Sequence, residues 1–214
     1  MNQDLLLEKH YLIPPPLGLS LVSHGRWDLG VLPGMDEIPN PAMAGSLFDP
    51  LQVQRRPSPT PRATAIGPRH QPYYKLHGSM NWQDPKGGRL LVMGGNKPTT
   101  MQSHPILMWY ADRFREMLSR PNARLMVIGY GFGDNHINRL IAEAWEAGGQ
   151  TLTMFIVGPD GREILRKINP TFGKIYVPGE LEYMTVLDST RDLPRTFGGG
   201  NPGERDHLVE YAQG

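Results

Sequence analysis

Two predominantly apolar runs, within RLMVIGY at residues 124–130 and LTMFIVG at 152–158, constrain this chain more than any other feature. A strand that is apolar on both of its faces has no solvent face, and such strands belong to parallel sheets covered on both sides. Between the runs, HINRLIAEAWEA repeats Ile137, Leu140, Ile141, Ala144 and Trp145 at three- and four-residue steps, the period of an amphipathic helix. Gly148-Gly149 ends that helix. Ahead of the first run, ILMWYADRFREMLSR carries the same period through Ile106, Trp109, Tyr110, Phe114, Met117 and Leu118, and stops at Pro121-Asn122. GREILRKI reads as a further helix and EYMTVLD as a further strand. Strand, helix, strand, helix, strand at this spacing predicts an α/β fold, a Rossmann-like parallel sheet with helices on both faces and right-handed crossovers.

The chain changes character near Gln71. Residues 12–70 are rich in proline and glycine, as in IPPPLGL and RRPSPTPRATAIGPRHQP. Proline fixes φ and removes a backbone donor, so this stretch reads as an irregular insertion without long strands or helices. Residues 71–190 carry the regular pattern, with PYYKLH and RLLVMGG as short strands. Residues 1–11, MNQDLLLEKHY, look like a capped helix start. The tail 191–214, with TFGGGNPGERD, has no periodicity that assigns an element.

A net charge of +1 over 214 residues offers no field to gather nucleic acid or an anionic membrane. The absence of cysteine excludes disulfides, thiolate zinc sites and a cysteine nucleophile together. No apolar run reaches bilayer length, and the N-terminus lacks the basic and apolar regions of a signal peptide. A soluble, cytoplasmic protein is expected.

Three segments carry candidate chemistry. In VIGYGFGDNHIN, Gly129, Gly131 and Gly133 separate a buried strand from a helix that Asp134 caps. Nucleotides bind at such helix N-termini in open α/β sheets, but Asp134 stands where the dinucleotide fingerprint needs its third glycine. A capped glycine-rich turn with no ligand explains the same residues. In KLHGSMNW, His77 closes a short strand before Gly78 and Ser79, a place suited to a cleft, and its ordinary pKa suits general-base work. A hydrogen-bonded structural histidine is the alternative. Trp82 and Trp109 read as core or cleft wall. At the N-terminus, Asn2 and Asp4 lead into LLLEKHY.

Taken in order, NQDLLLE, KLHGS and IGYGFGD resemble the sirtuins, and most closely the bacterial sirtuin-like branch. The resemblance covers the first ten residues and most of 71–165. It implies NAD as substrate, and it makes residues 1–11 a remnant of the Asn-x-Asp helix segment. Asn2 would position water or the ribose at the scissile N-glycosidic bond, and Asp4 would hold the nicotinamide end. His77 would act as general base, with Gly78 and Ser79 beside it. Gly129, Tyr130, Gly131 and Asp134 would contact the cofactor along its adenosine side.

The departures from the family are informative. Sirtuin deacylases carry a four-cysteine zinc module, which this chain lacks, so the resemblance implies NAD glycohydrolysis of the anti-phage type, with no zinc and no other metal. The first Rossmann half, with its Gly-Ala-Gly loop, is missing ahead of Asn2. The resemblance therefore implies an N-terminally truncated domain that holds NAD weakly by itself. A fuller gene product leaves room for an effector domain or a homo-oligomer. Two other readings stand beside this one. The first is a non-catalytic remnant that binds a nucleotide or a partner. The second, more distant, is a metallophosphoesterase suggested by His77-Gly78 and by Gly133 to His136, although no early Asp-x-His is present.

Overall fold

The computed structural model describes residues 29–38, 53–59, 70–94, 97–158, 163–166, 179–189 and 202–213. The chain forms two compact units, residues 2–111 and 112–214. Asn2, Asp4, their helix start and much of the stretch 12–70 lie outside the described residues.

In the first unit the proline-rich sequence permits only short strands. β1 (Leu29–Val31), β2 (Met35–Glu37), β3 (Arg55–Pro57) and β4 (His70–Pro72) are three residues each. β1 pairs with β4 in parallel. β2 and β3 join β5 (Gly78–Gln83) and β6 (Arg89–Leu91) in one sheet of order β2-β3-β5-β6. β3 therefore runs beside the strand that follows His77, meeting it at Arg55 and Trp82. Two helices follow, α1 (Lys97–Gln102) and α2 (Pro105–Leu118). The periodicity predicted the second, and it ends short of Pro121-Asn122 as expected.

Tyr110 is the hub of this unit's core. Its ring is fully buried and lies edge-on to Tyr74 at 5.0 Å and to Trp82 at 6.0 Å, and tilted against Trp109 at 5.6 Å. Offset and edge-on arrangements suit aromatic quadrupoles, and a buried phenol needs a partner. The Tyr110 hydroxyl donates to Pro33 O at 2.7 Å, so the turn after β1 is tied to α2. Burial pushes this phenol well above its ordinary range.

In the second unit, β7 (Arg124–Ile128), β8 (Thr153–Val157) and β9 (Thr185–Ser189) form a parallel sheet of order β7-β8-β9. Between them stand α3 (Asn135–Ala147), α4 (Glu163–Arg166) and α5 (Glu180–Tyr183). This is the α/β, Rossmann-like arrangement read from the sequence. Ile137, Leu140, Ile141 and Ala144 of the predicted stripe are buried. β8 is the central strand, and Met154 through Val157 are all buried, as a strand covered on both faces requires.

Two expectations need correction, and the unassigned tail gains an element. RLMVI is a strand but not one buried on both faces: only Val127 is buried, and Ile128 is 48% exposed. Among the described strands β7 pairs with β8 alone, so it lacks the second neighbour that covers β8. In EYMTVLD, Glu182 and Tyr183 belong to α5, and the strand starts at Thr185. The tail holds a helix, α6 (Pro202–Gln213). Leu208 and Tyr211 of α6 pack on Phe155 and Val157, which alternation puts on one face of β8. The Tyr211 hydroxyl donates to Thr153 O at 2.7 Å, and Arg124 donates to Tyr211 O at 2.6 Å. With so few apolar residues, α6 shows no period in sequence, and tertiary packing decides it.

Tyr110→Phe removes the hydroxyl and leaves Pro33 O without that donor. It should lower unfolding free energy by about 1–2 kcal/mol in urea titrations. An unchanged midpoint would show that the Tyr110–Pro33 bond contributes nothing.

Candidate functional site

The KLHGS segment is built differently from the strand end expected for it. The strand stops at Pro72, and Leu76 and His77 occupy a turn that leads into β5. That turn is closed by Gly78 N donating to Lys75 O at 3.0 Å, and Val92 N donates to His77 O at 2.8 Å. Gly78 has φ +75°, and a Cβ there would sit 2.1 Å from Leu90 O. Neither the conformation nor the space admits a side chain. The extended strand read from PYYKLH fails because Gly78 turns the chain where β5 meets β6.

Lys75 and Ser79 flank this turn four residues apart. Both are buried, and Lys75 Nζ donates to Ser79 Oγ at 2.8 Å. The Nζ also lies 6.0 Å from the Tyr73 ring. His77 is enclosed with them, at 3% exposure. Backbone bond, side-chain bridge and close glycine contact together leave the His77 main chain little freedom. The Lys75–Ser79 bridge went unread in the sequence; the i, i+4 spacing across His77 was its only signal.

The IGYGFGD turn lies in the second unit. Gly129 has φ +63°, and its N–H donates to Val157 O at 3.0 Å, carrying the β7–β8 ladder one step on. Phe132 is also left-handed, at φ +50°, a strain of order 1 kcal/mol for a non-glycine residue. Its ring is fully buried and lies 4.8 Å from that of Tyr130. Asp134 caps α3 as the sequence indicated, its carboxylate accepting from His136 N at 3.1 Å and Ile137 N at 3.4 Å.

Asn138 holds the turn to the helix, a role sequence reading missed. Its Nδ2 donates to Phe132 O at 2.8 Å, and its Oδ1 accepts from the Tyr130 hydroxyl at 2.9 Å. That hydroxyl also lies 3.1 Å from Asp134 O. Burial raises the Tyr130 phenol above its ordinary range, and the Asp134 carboxylate adds to this. The signal in the sequence was a polar residue beside Ile137, on the face that α3 buries.

The glycines of this turn are not all required for one reason. Gly129 answers to its backbone conformation. Gly131 and Gly133 have no left-handed φ, and among the described residues nothing lies within 4 Å of where a Cβ would stand. Their main chain is bare to the space outside the turn.

His136, offered by the metallophosphoesterase reading, sits in the first turn of α3. Its Nε2 has no hydrogen-bond partner among the described residues. No group of three or more His, Cys, Asp or Glu able to hold a metal occurs among those residues. None of their helices is long and apolar enough to cross a membrane.

The model of the SIR2-like domain family matches residues 43–174, more than half of the 214. The chain therefore belongs to the SIR2-like family, a sirtuin-like family of NAD-binding proteins. KLHGS and IGYGFGD both fall inside the matched stretch, while Asn2 and Asp4 lie ahead of it. No curated protein matches the chain.

Gly78→Ala should lower Tm by several degrees, whereas Gly131→Ala should leave it within about 1 °C. Equal effects in thermal melts would show that the contact with Leu90 O does not govern the His77 turn. A second expectation concerns pH. Burial lowers the His136 pKa from its ordinary 6.5, against the raising influence of Asp134 and Glu143. The folded state then binds the proton less readily than the unfolded chain, so this contribution to stability is complete above about pH 6.5 and fades as pH falls further. Tm should decline between about pH 7 and about pH 5, and His136→Gln should shrink that decline. An unaltered decline would assign it to other groups.

Proposed function

We propose that this protein binds NAD and hydrolyses its N-glycosidic bond, releasing nicotinamide, in the setting of anti-phage defence. The observation that carries nucleotide binding is the bare main chain at Gly131 and Gly133. Neither packing among the described residues nor a left-handed backbone asks for glycine there. Close approach of a ligand to the backbone is a physical reason that remains. Its position supports the same reading, since the turn joins the carboxyl end of parallel strand β7 to the N-terminus of α3.

In this reading Gly129, Tyr130, Gly131 and Asp134 contact the adenosine side of NAD. The bond between the nicotinamide nitrogen and ribose C1′ breaks, and nicotinamide leaves with the bonding electrons. Water adds to the oxocarbenium-like C1′, and the proton it sheds passes to His77 directly or through a ribose hydroxyl. Asn2 positions that water or the ribose, Asp4 holds the nicotinamide end, and Gly78 and Ser79 support the histidine. Products are nicotinamide, ADP-ribose and a proton. Catalysis rests on positioning and on stabilising charge at C1′.

One observation favours a second reading, a nucleotide-binding module without turnover. His77 is buried, and a base must reach its substrate. The two readings separate when nicotinamide release at millimolar NAD is measured alongside calorimetric NAD binding. On the first, His77→Ala cuts release by about 10²–10⁴-fold while affinity changes by less than about threefold. Equal release from both proteins overturns the assignment of His77, and binding without release from either supports the second reading. On both, Gly131→Leu weakens NAD about tenfold or more at unchanged Tm. Unaltered affinity would remove the turn from the site.

A further inference from the structure

Residues 2–111 contain a cleft of about 1000 Å³ whose lining does not include His77. This volume is of the order that encloses a small organic ligand. One wall is the start of α2, with Ile106 and Trp109; the rest of the apolar lining includes Pro57 at the end of β3 and Leu90 of β6. The α2 wall is fixed from behind. A Cβ on Gly34 would lie 3.1 Å from Ile106 Cδ1 and 3.2 Å from Trp109 Cζ3, and the next residue, Tyr110, is bonded to Pro33 O. The cleft is therefore backed by packed core.

Its charges are unbalanced. Arg56 and Lys86 both line it, and neither makes an ion pair among the described residues. The neighbouring Arg55 differs, its guanidinium being paired with Glu37 at 2.7 Å. Asp84 is the one carboxylate of the lining among the described residues, and it is engaged: its Oδ1 accepts from Lys86 N and Gly88 N, each at 2.8 Å, closing the β5–β6 turn. Asp36 stands opposite Arg56 across the β2–β3 ladder but neither pairs with it nor lines the cleft. Ser58, Ser103 and His104 also line it, the Ser103 hydroxyl donating to Thr100 O at 2.7 Å.

An apolar hollow with two cations and a committed carboxylate favours one class of ligand. We propose that this cleft binds a small amphipathic anion, with an apolar body against Ile106 and Trp109 and an anionic head toward Arg56 and Lys86. The inference stands apart from the NAD reading, because it uses none of the residues assigned there.

Two dyes that share an aromatic body test it: 8-anilinonaphthalene-1-sulfonate, and N-phenyl-1-naphthylamine, which lacks the sulfonate. The intact protein should bind the sulfonate saturably at one site, about tenfold or more tighter than the neutral dye. The double variant Arg56→Gln/Lys86→Gln, folded by circular dichroism and melting as the parent, should lose about tenfold in affinity for the sulfonate and none for the neutral dye. Ile106→Ala, read against its own melting curve, should weaken both dyes. Sulfonate binding unaffected by the double variant overturns the proposal, as does a sulfonate that binds no tighter than its neutral analogue. Displacement of the sulfonate by NAD would also overturn it, by making the cleft part of the dinucleotide's own site.

Discussion

The turn at His77 depends on a missing carbon atom. Gly78 passes so close to β6 that a Cβ would penetrate Leu90 O, and its φ of +75° lies where side chains are rarely found. That approach sets where β5 begins. It also fixes which way the chain enters the sheet and leaves His77 on a turn rather than on a strand. The Lys75–Ser79 bridge and the Val92–His77 bond then secure a path that the glycine makes available. Burying a lysine is costly unless its ammonium is satisfied, so this bridge belongs to a tightly specified local structure.

The second unit handles its turn by another device. Gly129 bends the chain out of β7, but the loop that follows is organised by side chains: the Asp134 cap, the buried Phe132 ring and the two-ended hold of Asn138. A buried amide with both ends bonded is a demanding arrangement, since each broken bond would leave a polar group stranded. This explains why Asn138 sits on the buried face of α3. The turn's main chain is left presented outward at Gly131 and Gly133. Similar-looking glycines therefore serve different ends, steric at Gly78, conformational at Gly129, and open among the described residues at Gly131 and Gly133.

Much of the architecture was legible because it follows from periodicity. The stripe of α3 and the apolar period of α2 each expose a pattern that only a helix satisfies, and β8 is marked as a strand by its short length and its β-branched and aromatic residues. The failures share one cause. β7 has the composition of a central strand but lacks a second neighbour among the described strands, and strand neighbours are not written in local sequence. α6 has few apolar residues and gains its place from Tyr211, whose ring and hydroxyl find partners in β8. In the site, the Asp134 cap could be read because capping is local. The Lys75–Ser79 bridge and the Asn138 contacts depend on how the chain bends between them, so their spacing alone did not identify them.

By itself, then, the sequence determined the α/β class, the helices and buried strand of residues 105–157, and the two motifs that fall within the SIR2-like match. These rest on composition and period, which are properties of neighbours along the chain. Only the tertiary structure decided that His77 lies on a buried turn, that Ser79 is bonded to Lys75, that β7 is exposed at Ile128 and that the tail contributes a helix. Each of these is set by where a second segment lies in space, through a close approach, a hydrogen bond or a covered face.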